Sequence, residues 1–327
     1  MPSYQEDARV IRNTLLSAAL QEYPHTRIVL LIDDPPAPRL RRNYELLVAA
    51  RALPRQLEEL LAEPSLRFST ALQQYESAME EGVEPSSNVM IDLAEHYELA
   101  ASWLRGQADG QEIVDHTDAF FANEVLRRLA DDLAMTAHAL RAALADGVLL
   151  PSARILQFYR RLAWIFAAEL SSFERKQYAS LSHEPNKAMN LNSYIGLMGG
   201  SYREIVTVAG RVLIPAAIGA SDLDVPNPDY VLTLDADSVL LPEYCVRLVH
   251  LLEQSQHQRV AIAQTPYSAY PGSGTRLERI AGATTDLQHI VHQGLTYYDS
   301  TFWVGANAVI RKTALDEIGT SSYIGDW

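Results

Sequence analysis

Apolar positions in this 327-residue chain change their period along its length. From Ala8 to Leu20 they fall at helical spacing (Val10, Ile11, Leu15, Leu16, Ala19), and Pro24 stops the helix. Arg27 to Ile32, RIVLLI, is the unbroken apolar run of a parallel-type strand, ended by Asp33-Asp34-Pro35-Pro36. From about Leu40 to Glu169 the pattern is helical throughout. Leu126, Leu129, Leu133, Ala137, Leu140 and Leu144 form one stripe, and Ile155, Phe158, Leu162, Phe166 and Leu170 another. The aromatics of that region, Phe158, Trp164 and Phe166, are expected in the core. Breaks between its helices are predicted at Glu63-Pro64, Gly82 to Pro85 and Gly147 to Pro151. After about Phe173 strands and helices alternate again. The pattern predicts a strand over Tyr230 to Leu234, a helix over Pro242 to Gln254 with proline in its first turn, and a strand over Arg259 to Gln264. A helix around Leu277 to His292 and an apolar segment from Phe302 to Ile310 follow. The expectation is an α/β fold with a mostly parallel sheet and ligands at its carboxyl edge. Residues 1–39 and 173–327 read as two parts of one α/β domain, and residues 40–172 as an all-helical insertion between them.

Composition narrows the function classes. Apolar residues make up 48% and charged residues 21%, a globular composition. A formal net charge of -14 argues against broad nucleic-acid binding, since phosphate backbones would be repelled. Any acidic substrate therefore needs a metal or a local basic group. The single cysteine, Cys245, rules out a disulfide framework and reads as an inert buried thiol. No run reaches the roughly 20 apolar residues that span a bilayer, and the chain as written is expected to be soluble. The opening Pro2-Ser3-Tyr4-Gln5-Glu6 lacks a leading strand and Trp327 follows Gly325-Asp326 abruptly, so both ends read as cut from a longer, membrane-bound protein.

The most informative chemistry is Asp235-Ala236-Asp237, at the end of the apolar run YVLTLDADSVLLPEY. Alternate residues of a strand point the same way, and two carboxylates at a strand end can meet one hard cation. Magnesium or manganese held there would bridge the diphosphate of a nucleotide-sugar and offset the charge that builds as the sugar departs. The competing reading is that an Asp caps the helix starting near Pro242. Tyr4 can lie against a base, and Asp33 or Asp34 can accept the imide hydrogen of uracil, although Asp-Asp-Pro-Pro is also ordinary turn chemistry. Lys187, in Asn186-Lys187-Ala188-Met189-Asn190-Leu191-Asn192 after a basic patch at Arg175 and Lys176, can meet a phosphate as a point charge or be a plain surface lysine.

Taken in order, PSYQE, LIDDPP, NKAMNLN, LTLDADS, AQTPY and HQGLTYYDSTFWVGANAVIRKTALDEIG resemble the family 2 processive glycosyltransferases, of the cellulose synthase kind. The resemblance covers about residues 1 to 36 and 173 to 327. It implies a GT-A (nucleotide-diphospho-sugar transferase, Rossmann-like) fold and an inverting transfer of a hexose from a uridine diphosphate sugar to a growing polysaccharide. By motif, Tyr4 and Asp33 or Asp34 would hold the uracil and ribose, with Pro2 and Glu6 also at the donor; Lys187 would touch the diphosphate, and Asp235 and Asp237 would contact the nucleotide-sugar and a magnesium or manganese ion respectively, Asp237 as the direct ligand. Gln264, Thr265, Pro266, His292, Phe302, Trp303 and Gly305 would line the glycan acceptor path. The spacing of His289 and His292 suits one helical face and would suit a metal, but the resemblance assigns His292 to the acceptor path. The family's Thr-Glu-Asp base motif and Gln-x-x-Arg-Trp motif do not occur before Trp327; Asp326 is the acidic residue near the expected place of the base. The resemblance places the parent protein at the cytoplasmic face of a membrane. A single-transfer enzyme acting on a lipid or another glycan, and a catalytically silent donor-binding or docking module, are the alternatives.

Overall fold

A computed structural model describes residues 1–321 apart from 218, 267 and 306. The chain opens with β1 (Pro2–Ser3), α1 (Ala8–Ala19) and β2 (Arg27–Ile32). Asp7 caps α1 by accepting the N–H of Arg9. The apolar run RIVLLI is the whole of β2, paired in parallel with β1 through Pro2↔Leu31 and Ser3↔Ile32.

A helical stretch follows: α2 (Arg41–Glu80), α3 (Ser87–Asp109), α4 (His116–Phe120), a π-helical segment (Phe121–Arg127), α5 (Arg128–Ala145) and α6 (Ser152–Ile165). Pro64 does not break it. Pro54 and Pro64 both lie inside the 40-residue α2 and are buried. An interior proline costs about 3 kcal/mol in helix propensity. Packing of Leu53, Leu57, Leu61 and Phe68 from the same helix in the core offsets that cost. The stretch is closed by β3 (Glu169–Phe173), which runs parallel to β2 from Arg27↔Glu169 to Leu31↔Phe173. This strand starts inside the segment read as helix, because its ELSSF sequence carries little apolar signal. The helices do not form a separate core. Tyr97, Leu126, Leu133, Ile155 and Phe166 share one buried cluster with Ile11, Leu15 and Leu16 of α1 and Leu30 and Ile32 of β2.

The remaining elements are α7 (Lys187–Ile195), β4 (Ser201–Thr207), β5 (Gly210–Pro215), β6 (Leu223–Asp224), β7 (Tyr230–Thr233), α8 (Tyr244–Glu253), β8 (Ile262–Gln264), α9 (Arg276–Tyr297), β9 (Ala308–Arg311) and α10 (Lys312–Ser321). Here the expectation of a mostly parallel sheet is corrected. Among the described residues, strands β5-β4-β6 form an antiparallel sheet and β7-β9-β8 a second one, while β1-β2-β3 form a parallel sheet. Strands β7 and β8, joined through α8, do run in one direction, but β9 enters between them and opposes both. Among the described residues no helix is long and apolar enough to cross a membrane.

Candidate functional site

Strand ends converge as the α/β alternation predicts. A cavity of about 320 Å³ is lined by Pro2, Ser3, Tyr4 and Glu6 after β1, Asp33 after β2, Asp235, Ala236 and Asp237 after β7, and Pro185, Asn186, Lys187 and Asn190 at α7. Asn186 caps α7 by accepting the N–H of Met189 at 2.7 Å, so that Lys187 opens a helix whose N-terminal dipole favours an anion. The Lys187 ammonium forms an ion pair with Asp235 across the cavity. The main chain turns at once after β7, with Ser238 N–H donating to Asp235 O at 3.2 Å. Glu6 joins the acidic side; its carboxyl is shifted upward, first by burial and then by the charges of Asp237 and Asp7.

Asp33 and Asp34 diverge. Asp33 lines the cavity and is clamped from behind: Arg175, with no exposed surface, donates Nε to its Oδ1 at 2.9 Å, and Lys176 lies 3.3 Å from the same oxygen. Arg175 also donates to the carbonyls of Ser182 and Glu184. Arg175 and Lys176, read from the sequence as a basic patch, are both drawn onto Asp33, and Arg175 is a buried strut. Asp34 does not line the cavity. It accepts the N–H of Gln5 at 3.3 Å and leaves Oδ1 buried and unpartnered, and burial raises its carboxyl above the usual range. Tyr4 is exposed, with Lys176 Nζ 5.9 Å from its ring centre.

The residues expected along the acceptor path fall into two groups. Gln264, Thr265, Pro266 and His292 line a second cavity of about 40 Å³ together with His289, Gln288, Thr285 and Val304. Gln264 Oε1 accepts the N–H of Val304 at 2.8 Å, and Thr265 shares a 2.9 Å hydrogen bond with Tyr244. Phe302, Trp303 and Gly305 do not line that cavity. Phe302 is exposed beside His292, with ring centres 4.9 Å apart, and Trp303 is half-buried with its Nε1 unpartnered. Gly305 takes a φ of +98°, a conformation costly for any side chain. Asp326 lies outside the described residues.

Sequence reasoning passed over the supports of the acidic turn. Thr14, Ser17 and Gln21, all buried, face it from α1 and the residues just after that helix. Thr14 donates to Ala236 O at 2.8 Å, Ser17 accepts Leu240 N–H at 3.0 Å, and Gln21 binds Leu241 O at 2.9 Å and Cys245 N–H at 3.0 Å. The signal was present: polar residues three and four apart next to Leu15 and Leu16, on a face that otherwise reads as core.

The acids at this site suit a hard cation that completes its shell with phosphate oxygens and water, as magnesium does. Among the described residues no group of three or more His, Cys, Asp or Glu forms a complete cation site alone. Asp235 and Asp237, both lining the larger cavity, are the acids that would contribute to a partial set.

Residues 230–326, which begin at β7 and include the acidic turn, match the sequence family described as Glycosyl transferase family group 2. Two curated proteins, each called Cellulose synthase 1, from Komagataeibacter xylinus and Novacetimonas hansenii, are 29% identical to this chain over 108 residues. That stretch is 32% of this chain and 6% of each of those proteins, so the chain spans a small part of their length. No solved structure matches it significantly. On the family match and these two similarities, the part of the chain from β7 onward is similar to the family 2 glycosyltransferases, and the chain resembles cellulose synthase over about a third of its length.

Proposed function

We propose that this chain is the donor-handling part of an inverting transferase that moves a hexose from a uridine diphosphate sugar to a growing polysaccharide, at the cytoplasmic face of a membrane. The observation that carries the reading is that the ends of β1, β2 and β7 and the start of α7 surround one cavity, with Lys187 bonded to Asp235 across it. In this reading Tyr4 packs its ring on uracil. Asp33 accepts the imide hydrogen through Oδ2, since the contacts from Arg175 and Lys176 fall on Oδ1. Lys187 exchanges Asp235 for a phosphate oxygen when donor enters, aided by the N-terminus of α7. Asp237 and Asp235 are the residues that would hold magnesium or manganese. When bound, the ion supplies positive charge against the departing diphosphate. Asp33 is held rigid by Arg175, so the base end of the donor is placed before the sugar end, which favours one orientation of the anomeric carbon. Gln264, Thr265, Pro266 and His292 form the start of the acceptor path, so the acceptor hydroxyl would approach from that side.

The test is calorimetric titration of the chain with uridine diphosphate, with and without manganese, followed by a panel of uridine diphosphate sugars. The unaltered chain is expected to bind more tightly with manganese. Lys187→Ala should weaken nucleotide binding about tenfold or more in both conditions. Asp237→Asn should remove most of the manganese dependence. Absence of nucleotide binding by the unaltered chain, or an Asp237→Asn protein that keeps the full manganese effect, overturns the reading.

A further inference from the structure

The acidic turn is held by two side chains, Thr14 of α1 and Tyr270 between β8 and α9, and Tyr270 packs on the helical stretch between β2 and β3. Thr14 Oγ1 lies 2.8 Å from Ala236 O and 3.2 Å from Val10 O in its own helix. A hydroxyl has one proton, and the shorter contact takes it. The Tyr270 hydroxyl donates to Asp237 O at 2.8 Å. The Tyr270 ring is set edge-on between two side chains of α4, Phe120 at 5.2 Å and His116 at 6.4 Å between ring centres.

Ala236 and Asp237 are consecutive, so these two carbonyls belong to the peptide planes on either side of the Asp237 Cα. Each plane is rigid, and the only soft backbone rotations between them are φ and ψ of Asp237. Fixing both carbonyl directions therefore fixes φ and ψ, and with them the direction in which the Asp237 carboxylate leaves the chain. Without those donors the turn would retain the 3.2 Å bond from Ser238 N–H to Asp235 O, which restrains the Asp237–Ser238 plane but not the plane that carries Ala236 O. A fully buried hydroxyl in the middle of α1 costs free energy unless bonded, and alanine would be the better helix former. Val10 O lies within reach in the same helix, but the shorter contact places the proton on Ala236 O.

Resting on the donor-site reading above, we propose that Thr14 and Tyr270 are positioning residues for the Asp237 carboxylate, and that α4 takes part by seating Tyr270. The helical stretch is then part of the donor site's framework, not only a neighbour sharing its core. Its corner at His116 and Phe120 is where a change in the helices would be felt as a change in cation-dependent nucleotide affinity.

The experiment compares the unaltered chain with Thr14→Val, Thr14→Ser, Tyr270→Phe, Phe120→Ala and the Tyr270→Phe/Phe120→Ala double variant. Three quantities are read on each: uridine diphosphate affinity with manganese, the same without metal, and the thermal midpoint. Losing one orienting hydrogen bond is expected to weaken manganese-dependent binding about three- to tenfold in Thr14→Val and Tyr270→Phe. Metal-free nucleotide binding should stay within about twofold, because Tyr4, Asp33 and Lys187 are untouched. Thr14→Ser should restore the unaltered affinity. Phe120→Ala should reproduce the Tyr270→Phe loss, and the double variant should be no weaker than Tyr270→Phe alone. If folded Thr14→Val and Tyr270→Phe bind with manganese as the unaltered chain does, the proposal is wrong. It is equally wrong if metal-free and manganese-dependent binding fall together, which would mark a general loss of structure. An unaltered chain with no manganese-dependent binding overturns the donor-site reading itself, a result distinct from the other two.

Discussion

Replacing Arg175 by methionine isolates the strut behind Asp33, at the edge of the larger cavity. The side chain is fully buried, with Nε at 2.9 Å and Nη2 at 2.7 Å from Asp33 Oδ1, and it donates to the carbonyls of Ser182 and Glu184. Methionine keeps the aliphatic bulk and removes the charge and every donor. Asp33, 6% exposed, is left with Lys176 at 3.3 Å as its cation. Removing one partner of a buried ion pair costs about 3–5 kcal/mol, and the two stranded carbonyls move the expectation to the upper end of that range. Much of this cost is the carboxylate left without its partner, so Asp33→Asn in the Arg175→Met background should recover about 2 kcal/mol. The assay is urea denaturation of the four proteins of the cycle, followed by tryptophan fluorescence and circular dichroism. An Arg175→Met protein within about 1 kcal/mol of the unaltered chain, or a double variant whose loss equals the sum of the singles, would refute the argument.

Burial raises the Cys245 thiol from an ordinary value of 9.0 to about 12, so at pH 9 only about one native molecule in a thousand carries the thiolate. A disulfide reagent should label it only after unfolding; stoichiometric labelling of native protein at pH 8 would contradict this. The folded state binds the extra proton between pH 9 and about 12, so stability falls as pH rises through that window, by up to about 1.4 kcal/mol per pH unit. Cys245→Ala should flatten that slope in alkaline thermal melts. Asp118, fully buried on α4, accepts from Arg9 and from Asn13 at 3.0 Å on α1 and from Val114 N–H at 3.0 Å. Asp118→Ala should lower stability by about 3 kcal/mol. A thermal midpoint unchanged from the parent chain would show that the helices are held to α1 by apolar contact alone.

What was legible in the sequence was whatever local pattern dictates. RIVLLI matched β2 end for end, since a strand buried within a sheet needs only an apolar run, and α1 followed its spacing with Pro24 beyond it. Tyr4, Glu6, Asp33, Lys187, Asp235 and Asp237, which line one cavity, were readable as motifs, because an α/β chain brings its strand ends to one edge. What stayed hidden depends on partners distant in sequence. Arg175 finds Asp33 across 142 positions, so nothing local marked it as buried. The direction of β9 is set by its pairing with β7 and β8, which an apolar run does not encode. The β4–β5 hairpin went unread because both strands are largely exposed and interrupted by Arg203, Glu204 and Arg211. Pro64 signalled a break that burial of its helix overruled.

The position of β9 sets a timetable for synthesis. Tyr230 of β7 meets Arg311 of β9 only after a further 81 residues have been made. At about 5–20 residues per second, the β7 edge waits roughly 4–16 seconds for its partner as the chain leaves the ribosome. An open edge of that kind is a template for pairing with another chain. A ribosome that stalls between β8 and β9 would therefore release a product with the acidic turn already made and its supporting sheet still adhesive.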